Sequence, residues 1–101
     1  MDPEAIYFAI GLGRQFNGTA TLEMLINHGA DVNHVSQRWR TPLIHAVWNQ
    51  REEDLKVLLA HGADPTIEGA KGGVTALGAA KMRERMDLFR LMETSRVRGT
   101  P

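Results

Sequence analysis

The chain has 101 residues, with twelve basic and twelve acidic side chains, four histidines, no cysteine and 43% hydrophobic residues. This length suits one small domain, and the balanced charge leaves no global field to draw nucleic acid or anionic lipid. Without cysteine there are no disulfides, thiolate zinc sites or cysteine nucleophiles, which agrees with a reducing compartment.

The chain begins Met1-Asp2-Pro3-Glu4, acidic where a secretory signal would be basic, and no stretch approaches the ~20 apolar residues of a membrane span. A soluble, cytoplasmic protein is expected. The first helix is predicted from Glu4, with Ile6, Ala9 and Ile10 as its inner stripe. Gly11, Gly13 and Asn17-Gly18 predict a long loop after it. Thr19 or Thr21 is expected to cap a second helix through Leu22, Leu25 and Ile26, which Gly29 ends.

The middle of the chain is more regular. Thr41-Pro42 is a helix start: the threonine oxygen caps free amides, and proline suits the first helical position. Leu43, Ala46 and Val47 then share one face. A fourth helix follows, apolar at Leu55, Leu58 and Leu59 and acidic at Glu52-Glu53-Asp54, which suits the positive end of its dipole. Gly62 closes it by taking a left-handed conformation. The polar, glycine-bearing stretch to Thr75 predicts a protruding hairpin. The last pair of helices starts at Thr75, with Leu77 and Ala80, then Met86, Phe89, Leu91 and Met92. Ser95 to Pro101 reads as a polar, frayed tail.

Two echoes tie these pieces together. Leu25-Ile26-Asn27-His28-Gly29-Ala30-Asp31 returns 33 positions later as Leu58-Leu59-Ala60-His61-Gly62-Ala63-Asp64, and Thr41-Pro42-Leu43 returns 34 positions later as Thr75-Ala76-Leu77. A period of this length, with these landmarks, resembles the ankyrin repeat. The resemblance covers about Glu4 to Thr94 and is strongest in the middle unit. It implies an all-α solenoid of about three stacked helix-turn-helix units with β-hairpin-like loops. One domain is expected over 1–95, with repeats near 4–32, 33–65 and 66–95 and a tail at 96–101. Short helices with one apolar side must stack on neighbours to cover it. The sequence departs from the family pattern in places. Ile44 and Gly78 stand where the family carries histidine, Gln50-Arg51 and Glu84-Arg85 replace a Gly-His pair, and Trp39 replaces a hairpin glycine.

The resemblance further implies a non-enzymatic protein-binding module, whose contacts come from hairpin tips and the exposed side of the first helix of each unit. By position, the contact set is Val35, Gln37, Arg38, Trp39, Arg40, His45, Trp48 and Asn49 in the middle unit, and Glu68, Lys71, Val74, Met82 and Arg83 in the third. Phe8 and Leu12 extend it into the first unit. Trp48 stands out, because tryptophan and arginine dominate the energetics of interfaces. A small module of this kind suits an inhibitor or antagonist, of the immunity or anti-defence type, or an adaptor.

No catalytic, metal or cofactor site is expected. His28 and His61 hold equivalent places but lack cysteines or paired carboxylates at ligand spacing. Gly11-Leu12-Gly13 is too short for a dinucleotide loop, and Gly69-Ala70-Lys71-Gly72-Gly73 lacks phosphate-loop spacing. The partner is expected to be a protein, not nucleic acid or membrane, with the chain a monomer or homodimer. Two alternatives remain. Leu88, Phe89 or Met92 could lie open on the outer face of the last unit and drive self-association, or the basic residues from Lys81 to Arg98 could bind nucleic acid.

Overall fold

A computed structural model describes residues 3–36, 40–69 and 73–98, without the side chains of Arg14 and residues 96–98. Its helices are α1 (Ala5–Leu12), α2 (Gly18–Asn27), α3 (Pro42–Trp48), α4 (Glu52–Ala60), α5 (Ala76–Met82) and α6 (Met86–Arg98). They pair as α1 with α2, α3 with α4 and α5 with α6. The first helices α1, α3 and α5 pack side by side, and α2, α4 and α6 do the same behind them. This is the stacked helix-turn-helix solenoid that the period implies.

The middle unit forms as its residues dictate. The Thr41 hydroxyl accepts a hydrogen bond from the Ile44 amide at 3.2 Å, with Pro42 opening the helix. Thr75 repeats the cap on α5, accepting from the Gly78 amide at 3.1 Å. Leu43, Ile44, Ala46 and Val47 are all buried, as are Leu55 and Leu58 of α4. Gly62, at φ +89°, ends α4. Its amide bonds the Leu59 carbonyl at 3.1 Å while the Ala63 amide reaches back to Leu58 at 3.0 Å. Gly29 ends α2 in the same way, with Ala30 bonding Leu25. Both are Schellman closures that satisfy otherwise orphaned helix carbonyls.

Other starts differ from expectation. Neither Thr19 nor Thr21 caps α2. The inserted residues wind into a 3₁₀ turn over Arg14–Phe16, and the Gly18 amide then bonds the Gly13 carbonyl at 2.9 Å. A Cβ on Gly18 would stand 2.6 Å from the Ala9 carbonyl oxygen, so this close approach needs glycine. The helix therefore begins at Gly18, behind Asn17 in the left-handed region. Thr21 bonds back to the Asn17 carbonyl, and Thr19 is free to donate to Asp54 at 2.6 Å. Glu4 holds the place of Thr41 without capping α1; its carboxylate instead takes the Ser36 hydroxyl.

The turn between the helices of each unit needs one left-handed residue. Asn17, Gln50 and Glu84 precede the second helix of each unit and have φ of +55°, +55° and +56°. The backbone bend is thus kept where the family's glycine is missing, at the expense of local strain.

Between units, the Asn33 side chain acts like a piece of main chain. Its carbonyl accepts from the Asp64 amide at 2.7 Å and its amide donates to the Gly62 carbonyl at 3.4 Å. Among the described residues the hairpins contain no strand longer than one bridge, between Ser36 and Arg40, and a 2.7 Å bond from the Gly69 amide to Val74.

The last unit corrects two expectations. Leu88 and Met92 are not open to the outside: both are 0% exposed and belong to the core, while Met86 is exposed. Leu88 holds the register place of Asp54, which is also 0% exposed, so this position faces the preceding unit. The helix also runs to Arg98, through much of the stretch expected to fray.

Candidate partner-binding surface

The side formed by α1, α3 and α5, with the residues that end them, carries Phe8, Leu12, His45, Trp48, Asn49, Met82 and Arg83 of the positions that sequence points to. Trp48 is the last residue of α3, half-buried, and the Arg83 guanidinium lies 5.2 Å from the centre of its ring. A cation over a tryptophan face is attracted to the ring's negative quadrupole and adds about 0.5–1 kcal/mol at an exposed site. The neighbouring Met82 is 61% exposed. Trp48 and Arg83, singled out separately, form one contact between the second and third units.

Beside them, between α1 and α3, a cleft of about 410 Å³ is lined by Tyr7, Phe8, Gly11, Leu12, His45 and Asn49. Phe8 and Leu12 are exposed at its rim. The Asn49 amide is turned back onto the His45 carbonyl at 2.8 Å.

Tyr7 makes the floor, and sequence reasoning missed it. It is 2% exposed, with its ring edge-on to His34 and His45 at 5.9 and 5.5 Å. Its hydroxyl donates to the Arg40 carbonyl at 2.7 Å and lies within 3.2 Å of both the carbonyl and Nδ1 of His34. Burial, aided by the Glu4 charge, pushes the phenol far above its usual range, so it stays a neutral donor. Burial likewise pulls His45 below the ordinary imidazole value, opposed by its bond to the Tyr7 main chain. At neutral pH the cleft is therefore apolar and aromatic, without a cation at His45. The signal that could have found Tyr7 is register: it stands where Ile44 stands one unit later, facing the next unit.

The remaining positions are spread over the loops. Val35 and Glu68 are exposed, and Val74 is half-buried against the core. Arg40 is half-buried at φ +71°, with its stem against Gly69, where a Cβ would meet it at 2.9 Å. Gln37, Arg38, Trp39 and Lys71 lie outside the described residues. Among the described residues, no three acidic, histidine or cysteine side chains are placed to hold a metal ion. No described helix is long and apolar enough to cross a membrane.

Stacked helical pairs with a half-exposed tryptophan and an apolar cleft on one side define a helical-repeat scaffold. The family model for ankyrin repeats, described as occurring in many copies, matches residues 5–59, more than half of the chain. The chain belongs to the ankyrin-repeat family. It is 42% identical over 59 residues to the ADP-ribosylation factor GTPase-activating protein AGD2 of Arabidopsis thaliana, covering 58% of this chain and 8% of that protein. It is 40% identical over 62 residues to the human BCL-6 corepressor-like protein 1, covering 61% and 3% respectively. The crystal structure of the ankyrin repeat domain of Bcl-3, a unique member of the IkappaB protein family, superposes with a TM-score of 0.78 at 31% identity. The match covers 94% of this chain and 43% of that one. The chain thus spans less than a tenth of the curated relatives it matches. Ankyrin repeats are generally protein–protein interaction modules, typically without enzymatic activity of their own.

Proposed function

We propose that this chain binds a folded protein partner across the exposed side of α1, α3 and α5, and acts by occlusion, as a small cytoplasmic inhibitor or antagonist. An adaptor role would use the same surface. The observation that carries this reading is the Trp48–Arg83 pair between exposed Met82 and the Phe8–Leu12 cleft. An aromatic ring with apolar neighbours and an arginine at its edge is the composition that concentrates binding energy at interfaces. The loop positions Val35, Arg40 and Glu68 extend the surface, and Arg40 with Arg83 suits an acidic patch on the partner.

Capture from extract of the native cells with tagged protein, followed by mass spectrometry and titration of the purified partner, tests the proposal. Trp48→Ala combined with Arg83→Glu is expected to weaken binding at least a hundredfold while circular dichroism stays unchanged. Full affinity in that variant would rule out this surface.

A further inference from the structure

A second cleft lies on the side of the stack away from Trp48, where α4 and α6 run alongside each other. It measures about 410 Å³, as large as the cleft beside α1. Both of its walls belong to the joint between the second and third units. Its floor is apolar: Leu59 from α4 and Leu91 from α6 are half-buried against the core. Ala60 and Thr94 hold the same place in the two helices, and two such short side chains leave the space that longer ones would fill.

The rim is charged, and its charges do not cancel. On the α6 wall, Arg85 holds Asp87 with two bonds, Nε to Oδ1 at 3.0 Å and Nη2 to Oδ2 at 2.9 Å. That grip keeps the carboxyl ionised down to about 2, so Asp87 already has its counter-ion. On the α4 wall, the Lys56 ammonium lies 3.1 Å from Glu52, an exposed pair that water screens well. Arg90 is exposed and, among the described residues, has no acidic side chain within ion-pair reach. One turn further along α6 the Thr94 hydroxyl also lines the cleft, with Ser95 beside it. The other acids of these helices belong to different joints. Glu53 holds on α4 the place of Asp87, towards α2, and Glu93 holds on α6 the place of Leu59, away from α4.

We propose that this cleft is a second docking surface, which takes an aliphatic side chain with a carboxylate beside it from a segment of a protein partner. The aliphatic group rests on Leu59, Ala60 and Leu91, while Arg90 offers the carboxylate a planar pair of donors and Lys56 a mobile one. An acid answers the cation that the chain leaves without a counter-ion, whereas a basic segment would meet Arg90 and Lys56 with like charge. The cleft holds no aromatic side chain on which a base would stack, which favours a peptide over nucleic acid. Trp48 and Arg83 lie on the opposite side, so one chain can hold two partners at once, as an adaptor does.

A displayed library of random peptides of about twelve residues tests this. Peptides are selected on the parent chain, and those that also bind Ala60→Trp, in which an indole fills the cleft, are discarded. The remaining peptides are expected to carry Asp or Glu within two residues of Leu, Ile or Val. For a labelled peptide from that set, fluorescence anisotropy should show binding weakened at least tenfold by Arg90→Glu and unchanged by Trp48→Ala with Arg83→Glu. Ala60 and Arg90 are both exposed, so both variants should keep the parent helicity by circular dichroism. The proposal is overturned if no peptide separates the parent from Ala60→Trp, if basic rather than acidic residues are enriched, or if binding ignores Arg90→Glu. Arg90-dependent binding of a labelled single-stranded oligonucleotide, without peptide binding, overturns it as well. Because Trp48→Ala with Arg83→Glu disables only the opposite surface, each proposal can fail while the other stands.

Discussion

Replacing Gln50 by glycine is expected to stabilise the protein. Gln50 sits at φ +55°, where a residue with a Cβ carries about 1–2 kcal/mol of steric cost. Glycine removes that cost but loses about 0.5–1 kcal/mol through the greater freedom of the unfolded chain. The side chain contributes little, since its one described contact is a 3.5 Å approach from Arg85 Nη1 in an exposed setting. The net gain is about 0.5–1 kcal/mol. Glu84→Gly, at φ +56° in the next unit, should add a similar amount, so the double variant gains about 1–2 kcal/mol. For a domain of this size each kcal/mol moves Tm by roughly 4–8 °C. Urea unfolding followed by circular dichroism measures the effect as a higher midpoint with unchanged slope. Gly62→Ala, at φ +89° with open space around it, serves as the reverse control and should destabilise by about 1 kcal/mol. A lower midpoint for Gln50→Gly would refute the reasoning, because the left-handed bend would then carry no strain worth relieving.

Three further outcomes are expected. Thr41→Ala and Thr75→Ala should each lose about 1 kcal/mol by thermal melting, because each removes the oxygen that caps its helix. Asp54→Ala should cost about 2–3 kcal/mol, since the buried carboxylate accepts from Thr19 at 2.6 Å and from Arg51 at 3.4 Å. A double-mutant cycle with Thr19→Val should give a coupling energy well above zero. Stability should fall on acidification from pH 7.5 to 5.5. His45 has a native pKa below its unfolded value, so the unfolded chain binds more protons; the contribution is full above about 6.5 and shrinks as pH drops towards the native value. Denaturation midpoints at the two pH values measure this, and His45→Gln should flatten the difference.

Much of the fold is legible because its signals are local. The Thr41-Pro42 start, the Gly29 and Gly62 stops and the stripe of Leu43, Ala46 and Val47 each follow from a few neighbouring residues. The last helix is harder to read. Met86, Leu88, Phe89, Leu91 and Met92 leave it apolar around much of its circumference, so pattern alone does not separate its buried side from its exposed one. Register with the middle unit hides the answer too, because the place of Leu88 holds Asp54, whose burial depends on a partner 35 residues away. Thr19 illustrates the same limit. It has the chemistry of a cap, but the inserted turn starts the helix two residues earlier, behind Asn17, and leaves the hydroxyl for another unit. The proposed binding side is legible in Trp48, while the floor of its cleft is not: Tyr7 is fixed by carbonyls of His34 and Arg40 that lie about one repeat away.

Asn33 gives the molecule a property that its three units alone would not. One side chain grips two backbone groups of the following loop, and the third unit offers Thr66 in its place. One joint between successive loops is thereby tied by a single replaceable residue. A copy of residues 33–65 inserted after Pro65, with asparagine kept at its head, would bring its own coupling and lengthen the array by one step.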